Sequence, residues 1–325
     1  MRVLVTTAAV PARLYNLVPL GWALRTTGHE LCVASLPGLA PVTKRSGLTA
    51  VETGGEPVSA PVNDHMLADL VEFAKVWRPD LVVWDADTFE GPLAATSLGV
   101  PHVRVLSTPD NAGPRWQQSR EHPFADRLGE FVLGHATVDP TPACFRFPVD
   151  VGYRPVRYVP YDGVAVYPAW LQKKPRRPRV AVALERPSAS TAVFAALANL
   201  DVDVIATLDT RRIPPEARIA DNIRLLDHLS LNVLLPGCSA VVHDGDMKAI
   251  STAVVHGVPQ LGMAGDMTEI EKCGAGLAAD AESLPGQVAR LLADESIKDG
   301  AAALRAEMLG RPSPQDIVPE LVGLA

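Results

Sequence analysis

Residues 222–277 constrain the fold most, because apolar-rich runs of strand length alternate there with a segment of helix length. Residues 223–226 and 240–242 read as buried parallel strands, and residues 247–256 as a helix closed by Gly257. His243-Asp244-Gly245-Asp246 is then a strand-to-helix turn at the carboxyl edge of a sheet. Backbone N–H groups of a helix N-terminus can hold a phosphate at such a turn. Asp244 and Asp246 are good residues for starting a helix, but their carboxylates have the wrong sign for that ligand.

The same alternation runs through the rest of the chain. Residues 2–5, a helix over 14–25 closed by Gly28, and a strand over 30–35 form a first βα unit. A helix over 64–77, a strand over 79–85 ending on Asp85, a helix over 89–98 and a strand over 103–106 follow. Residues 134–142 and 156–163 read as closing strands. Residues 167–178, with three prolines and the run Lys173 to Arg177, read as a linker. The pattern restarts with a strand at 180–184, a helix at 188–200 and a strand at 202–208, and helices are expected at 281–292, 297–309 and 313–324. The expectation is an α/β chain with two Rossmann-like domains whose parallel sheets face across a cleft. They span residues 1–166 and 179–325, with the last helix free to return to the first domain. The 325 residues, 47% of them hydrophobic, are enough to fill two cores.

Composition excludes several classes of function. A net charge of −7 opposes a nucleic-acid partner. Residues 6–13 lack the glycines a dinucleotide needs after the first strand, so a dehydrogenase is excluded. Cys32, Cys144, Cys238 and Cys273 lack metal-ligand spacing and read as buried free thiols of a reducing compartment. The chain opens on a strand and contains no apolar run of membrane-spanning length, so no membrane role is expected and the reading is cytoplasmic.

His256-Gly257-Val258-Pro259-Gln260-Leu261 and Gly274-Ala275-Gly276-Leu277 carry a family likeness. With the turn before them, they resemble the donor half of GT-B glycosyltransferases that attach deoxysugars to polyketide and other natural-product aglycones. The resemblance implies a nucleotide-sugar site at a His-His-Gly-Gly-x-Gly-Thr turn, and here that turn reads His243-Asp244-Gly245-Asp246-Met247-Lys248-Ala249. It also implies small residues after the second domain's first strand, where this chain has Glu185-Arg186-Pro187. The resemblance further implies an acid and an amide on a sugar-contacting loop, which is shortened here to residues 262–269, with Asp266 as the remnant of that acid.

In the first domain, the resemblance implies a general-base His ahead of a Pro-Leu-x-Pro-Leu stretch and an Asp supporting it. Arg13 and Asp85 occupy those positions, and a guanidinium stays protonated at any working pH. Arg13 is expected to pair with Asp85, with Glu90 and Asp87 in the same loop, and the region 107–126 is either acceptor pocket or mobile surface loop. The candidate catalytic set is therefore Asp85, Arg13 and Glu90, and the degenerate donor set His243, Gly245, Asp246 and Asp266.

No cofactor is expected, although an Asp244, Asp246 and Asp266 cluster is a conceivable Mg²⁺ site. The leading expectation is a natural-product biosynthesis protein that binds or transforms a polyketide-like aglycone and binds nucleotide sugars poorly. An active deoxysugar transferase, with Asp85, Asp246 or His243 as its base, is the alternative. A non-catalytic partner of a biosynthetic enzyme is another, and a second copy of the chain also stands as a partner.

Overall fold

The computed structural model describes residues 1–58, 60–147, 149, 151–184, 187–209, 211, 213, 219–227 and 229–325, with backbone alone for 187–190. Glu185 and Arg186 lie outside the described residues, as does His228. Two compact units emerge: Met1–Thr141, Phe145–Val164 and Arg311–Ala325 in one, Pro142–Cys144 and Ala165–Gly310 in the other.

The first unit runs β1 (Arg2–Thr6), α1 (Pro11–Thr26), β2 (Glu30–Ser35), α2 (Ala40–Arg45), β3 (Thr49–Glu52), α3 (Asp64–Trp77), β4 (Leu81–Asp85), α4 (Glu90–Leu98) and β5 (His102–Val105). It continues with α5 (Ala112–Ser119), α6 (Ala125–Leu128), β6 (Ala136–Asp139) and β7 (Tyr153–Pro155). Its sheet is parallel throughout, in the order β3-β2-β1-β4-β5-β6-β7. Because strand side chains alternate, Val3, Val5, Val83 and Val105 pack on one face with Leu14, Leu17 and Leu24 of α1. Leu4 and Val82 pack on the other face with Leu70 and Ala74 of α3 and Ala94 of α4. All five residues of β4 are buried, as a strand covered on both faces requires.

The second unit runs β8 (Arg179–Ala183), α7 (Pro187–Leu197), β9 (Asp203–Thr207), β10 (Ile223–Leu226), α8 (Leu231–Leu234), β11 (Ala240–His243) and α9 (Met247–His256). It closes with β12 (Gln260–Gly262), α10 (Thr268–Lys272), β13 (Gly276–Ala278), α11 (Leu284–Ala293) and α12 (Glu295–Leu309). Its parallel order is β10-β9-β8-β11-β12-β13. Val180, Val182, Val204 and Val242 face Leu197, Leu284 and Leu291, while Ala181, Ile205 and Val241 face Ala249, Ala253 and Leu234. The short α13 (Val318–Val322) belongs to the first unit, where Ile317 and Leu321 join the core beside α1.

Three expectations need correction. Residues 107–126 are more ordered than their Pro- and Gly-rich composition suggests, because they hold α5 and the start of α6. The last closing strand of the first sheet is Tyr153–Pro155, and 156–163 follow it as irregular chain. The cysteines are free thiols but only partly buried. Among the described residues, no helix is long and apolar enough to cross a membrane.

Candidate functional site

In both sheets the direction of strand addition reverses beside the first strand, between β1 and β4 and between β8 and β11. Ligands of open α/β sheets bind in the crevice at the carboxyl ends of such a pair. The two sets of candidate residues fall at these two points.

At the first, α1 begins at Pro11 without a side-chain cap or an acidic residue in its first turn, and Arg13 sits in that turn. A cation there opposes the helix dipole by about 0.3–1 kcal/mol, so it needs carboxylates nearby. Arg13 Nη1 donates to Asp85 Oδ1 at 3.2 Å, at the end of β4, and to Ser107 Oγ at 2.7 Å, after β5. It also pairs with Asp87 Oδ2. Burial alone would lower the guanidinium pKa, but Asp85 and Asp87 outweigh it and hold the group above its ordinary value. Asp85 is 1% exposed, and burial pushes its carboxyl up to about 6; Arg13 opposes that rise and Asp87 adds to it. Thr88 completes the edge: its Oγ1 donates to Asp85 Oδ2 at 3.4 Å and accepts from the Ala8 N–H at 3.0 Å.

Glu90 is engaged elsewhere. Its Oε1 accepts the Asn63 N–H at 2.6 Å, and Asn63 Oδ1 in turn caps α3 by accepting from Met66 N at 3.1 Å. The carboxylate joins the starts of two helices and is 7% exposed.

The loop after β5 forms the next wall. Asn16 donates to the Leu106 carbonyl at 2.8 Å, and Trp116 of α5 packs with Leu93, Leu128 and Val132. The Phe89 ring lies 4.7 Å from Phe124 and 5.5 Å from His122, centroid to centroid. Burial, then Arg104, lowers the His122 pKa, and its Nδ1 accepts the Phe124 N–H at 3.2 Å. The void of about 20 Å³ beneath Asn16, Leu20, Val138 and Ile317 has room for no more than a water.

At the second point, His243 ends β11 with no exposed surface. Its Nδ1 accepts the Gly245 N–H at 2.9 Å, which leaves the proton on Nε2 to donate to Gln260 Oε1 at 3.1 Å. Burial lowers its pKa, and the neutral ring serves as a brace of the turn. Asp246 caps α9, with Oδ1 accepting from Ala249 N at 3.0 Å. Gly245 has φ +84°, and a Cβ there would lie 2.1 Å from the Ala264 carbonyl oxygen. The shortened loop therefore presses its backbone against the turn. Asp266 accepts from Thr268 N at 2.9 Å at the start of α10, and Thr268 holds its carboxyl below the ordinary value. Asp244, Asp246 and Asp266 do not assemble a cation site: no group of three or more His, Cys, Asp or Glu suited to a metal occurs among the described residues.

The structure thus brings Arg13, Asp85 and Asp87 together, directs Glu90 to Asn63, and employs His243, Asp246 and Asp266 within the turn and loop themselves. Ser107 and Thr88 were not singled out from sequence; Ser107 lies 94 residues from Arg13 and carries no local signal.

Two family models match the chain: the N-terminal domain of the erythromycin biosynthesis protein CIII-like family over residues 55–185 and its C-terminal domain over 191–324. Tylactone mycaminosyltransferase of Streptomyces fradiae is 34% identical over 414 positions, covering 99% of this chain and 92% of that protein. Aclacinomycin-T 2-deoxy-L-fucose transferase of Streptomyces galilaeus is 36% identical, covering 99% and 95%. The 414 aligned positions exceed the chain's 325 residues by 89, so the relative carries segments with no counterpart here. Among solved structures, glycosyltransferase VinC in complex with dTDP superposes with a TM-score of 0.91 at 32% identity, covering 100% of this chain and 99% of that one. The chain belongs to the erythromycin biosynthesis protein CIII-like family of GT-B glycosyltransferases of antibiotic biosynthesis.

Proposed function

We propose that this chain receives a polyketide-class aglycone at the carboxyl edge of its first sheet and does not carry out ordinary nucleotide-sugar transfer. The observation that carries this reading is Arg13. Where the family resemblance implies a neutral base, a guanidinium is tied to Asp85, Asp87 and Ser107, and it has no lone pair with which to take a hydroxyl proton.

The second unit supports the same reading. The N–H of Ala249, among those a diphosphate would use, already has a carboxylate partner, and the Ala264 carbonyl closes on Gly245. Two unit charges of like sign about 4 Å apart repel by about 4 kcal/mol at an effective dielectric near 20, roughly a thousandfold in affinity. Calorimetric titration with TDP and UDP sugars, with and without Mg²⁺, tests this. No heat of donor binding is expected at millimolar sugar nucleotide; micromolar binding, or sugar transfer to any aglycone, defeats the reading.

One observation favours a second reading, an active deoxysugar transferase with Asp85 as its base. Its carboxyl is pushed up to about 6, within the range a general base needs. The relatives are named as transferases, in keeping with this alternative. An Asp85→Asn variant that abolished a measurable transfer would establish it.

A further inference from the structure

We infer that Asp110, gripped by Arg104 and Tyr153, is the positioning residue that sets which aglycone the first unit accepts; this rests on the aglycone reading above. Asp110 accepts hydrogen bonds from Arg104 Nη1 at 3.1 Å, Arg104 Nη2 at 2.5 Å, Ala112 N at 3.0 Å, Gly113 N at 3.1 Å and the Tyr153 hydroxyl at 2.9 Å. Arg104 stands on β5 and its Nε reaches Thr137 Oγ1 of β6 at 3.2 Å, while Tyr153 begins β7. Side chains of β5 and β7 therefore converge on one carboxylate, β6 braces Arg104, and the carboxylate holds the first turn of α5.

Stability alone is a poor explanation of this arrangement. A helix cap contributes about 1 kcal/mol through N–H contacts and requires no buried cation. The Arg104 and Asp110 side chains are 2% and 5% exposed, and a buried ion pair is often no better than apolar residues of the same volume. What a bidentate pair adds is direction and register. Gly113 completes the fit, because a Cβ there would lie 2.6 Å from Asp110 Oδ2 and 2.8 Å from the Tyr153 hydroxyl oxygen.

The clamp acts on a loop that leads from the Arg13 constellation to the aromatic wall. Ser107 is held by Arg13, Asp110 by Arg104, and the helix that follows carries Trp116 into its packing with Leu93 and Leu128. The loop after β5 is thus pinned at two points three residues apart. A loop held in one position admits ligands that match its shape and disfavours those that would have to move it.

The test titrates tylactone and aklavinone calorimetrically into the full chain, its Tyr153→Phe variant and its Arg104→Met/Asp110→Leu double variant, with a thermal melt of each. Wild type is expected to prefer one aglycone at least tenfold. Tyr153→Phe should reduce that ratio at least threefold with little change in Tm, and the double variant should bring it close to one while staying folded. If the double variant does not fold, Tyr153→Phe decides. A merely structural cluster would lower Tm and leave the ratio intact, and that result overturns the inference, as does a wild-type ratio of one. Wild type that binds neither probe removes the aglycone reading itself, and this inference with it.

Discussion

The carboxyl edges of the two sheets share a topology and use their charges in opposite ways. At the first, a cation and two carboxylates from different elements face one another, and a carboxyl 1% exposed is raised to about 6. At the second, Asp246 and Asp266 each accept from the backbone N–H of a helix that starts beside them, and His243 is a neutral strut between Gln260 and Gly245. The difference teaches that acidic residues at a strand-to-helix turn become helix caps unless another element supplies a cation. The acids of the first edge meet a cation, and those of the second meet backbone N–H groups.

The strongest way to break this contrast is at the donor turn. Asp246→Gly should restore some affinity for TDP, by as much as the roughly thousandfold that one like charge removes. A Gly at a helix start costs only a few tenths of a kcal/mol relative to Asp, so the melt should scarcely move. A variant that still ignores TDP would place the obstacle in the Ala264 loop and not in the carboxylate.

The next largest effect is a pair of opposed pH dependences within the first unit. Asp85 rises from an unfolded value near 3.9 to about 6 through burial, with Arg13 opposing and Asp87 adding. Its contribution to stability, about 3 kcal/mol, is complete below pH ~4 and is lost as pH rises through 6. His102, 1% exposed, falls from about 6.5 to about 4 through burial and then His135, while its Nδ1 accepts from Trp84 Nε1 at 3.1 Å. Its contribution, also about 3 kcal/mol, is present above pH ~6.5 and is lost as pH falls toward 4. The two nearly cancel in the native chain. Denaturant melts between pH 4 and 6.5 should show stability rising with pH in Asp85→Asn and falling with pH in His102→Asn. Parallel curves for the two variants would sink the account of the first edge.

Backbone fit at the second edge comes next. Gly245→Ala must accommodate both φ +84° and a Cβ 2.1 Å from a backbone oxygen, so a loss of about 2 kcal/mol or more is expected in chemical denaturation. An unchanged midpoint would mean that the loop is not seated on the turn. Smallest of all, Asp246→Ala should cost about 1 kcal/mol as a lost cap, and Asp266→Ala should lower the melt less than that, because its hydrogen bond to Thr268 N is solvent-exposed.

Much of the fold was legible because its signals are local. The ranges 30–35, 64–77, 223–226 and 247–256 coincide with β2, α3, β10 and α9, each marked by an apolar-rich run or by cap residues such as Asn63 and Gly257. The three-residue β12 and β13 were not singled out, since they are too short to express a period, and α5 is hidden by the glycine and proline in its first turn. Arg13 and Asp85 could be paired because the family resemblance implies a base and its supporting acid at those two positions. Ser107 could not, nor could the clamp on Asp110, whose partner Tyr153 lies 43 residues away.

What the amino-acid order determined by itself is the alternation of buried strand and amphipathic helix, and with it two parallel sheets, because burial period and capping act within a turn or two of chain. The tertiary structure alone decided which carboxylates are satisfied by backbone N–H groups and which confront a cation. That choice depends on strand order, which brings β1, β4 and β5 side by side, and on burial, which gives the Asp85 carboxyl a pKa no local sequence can specify.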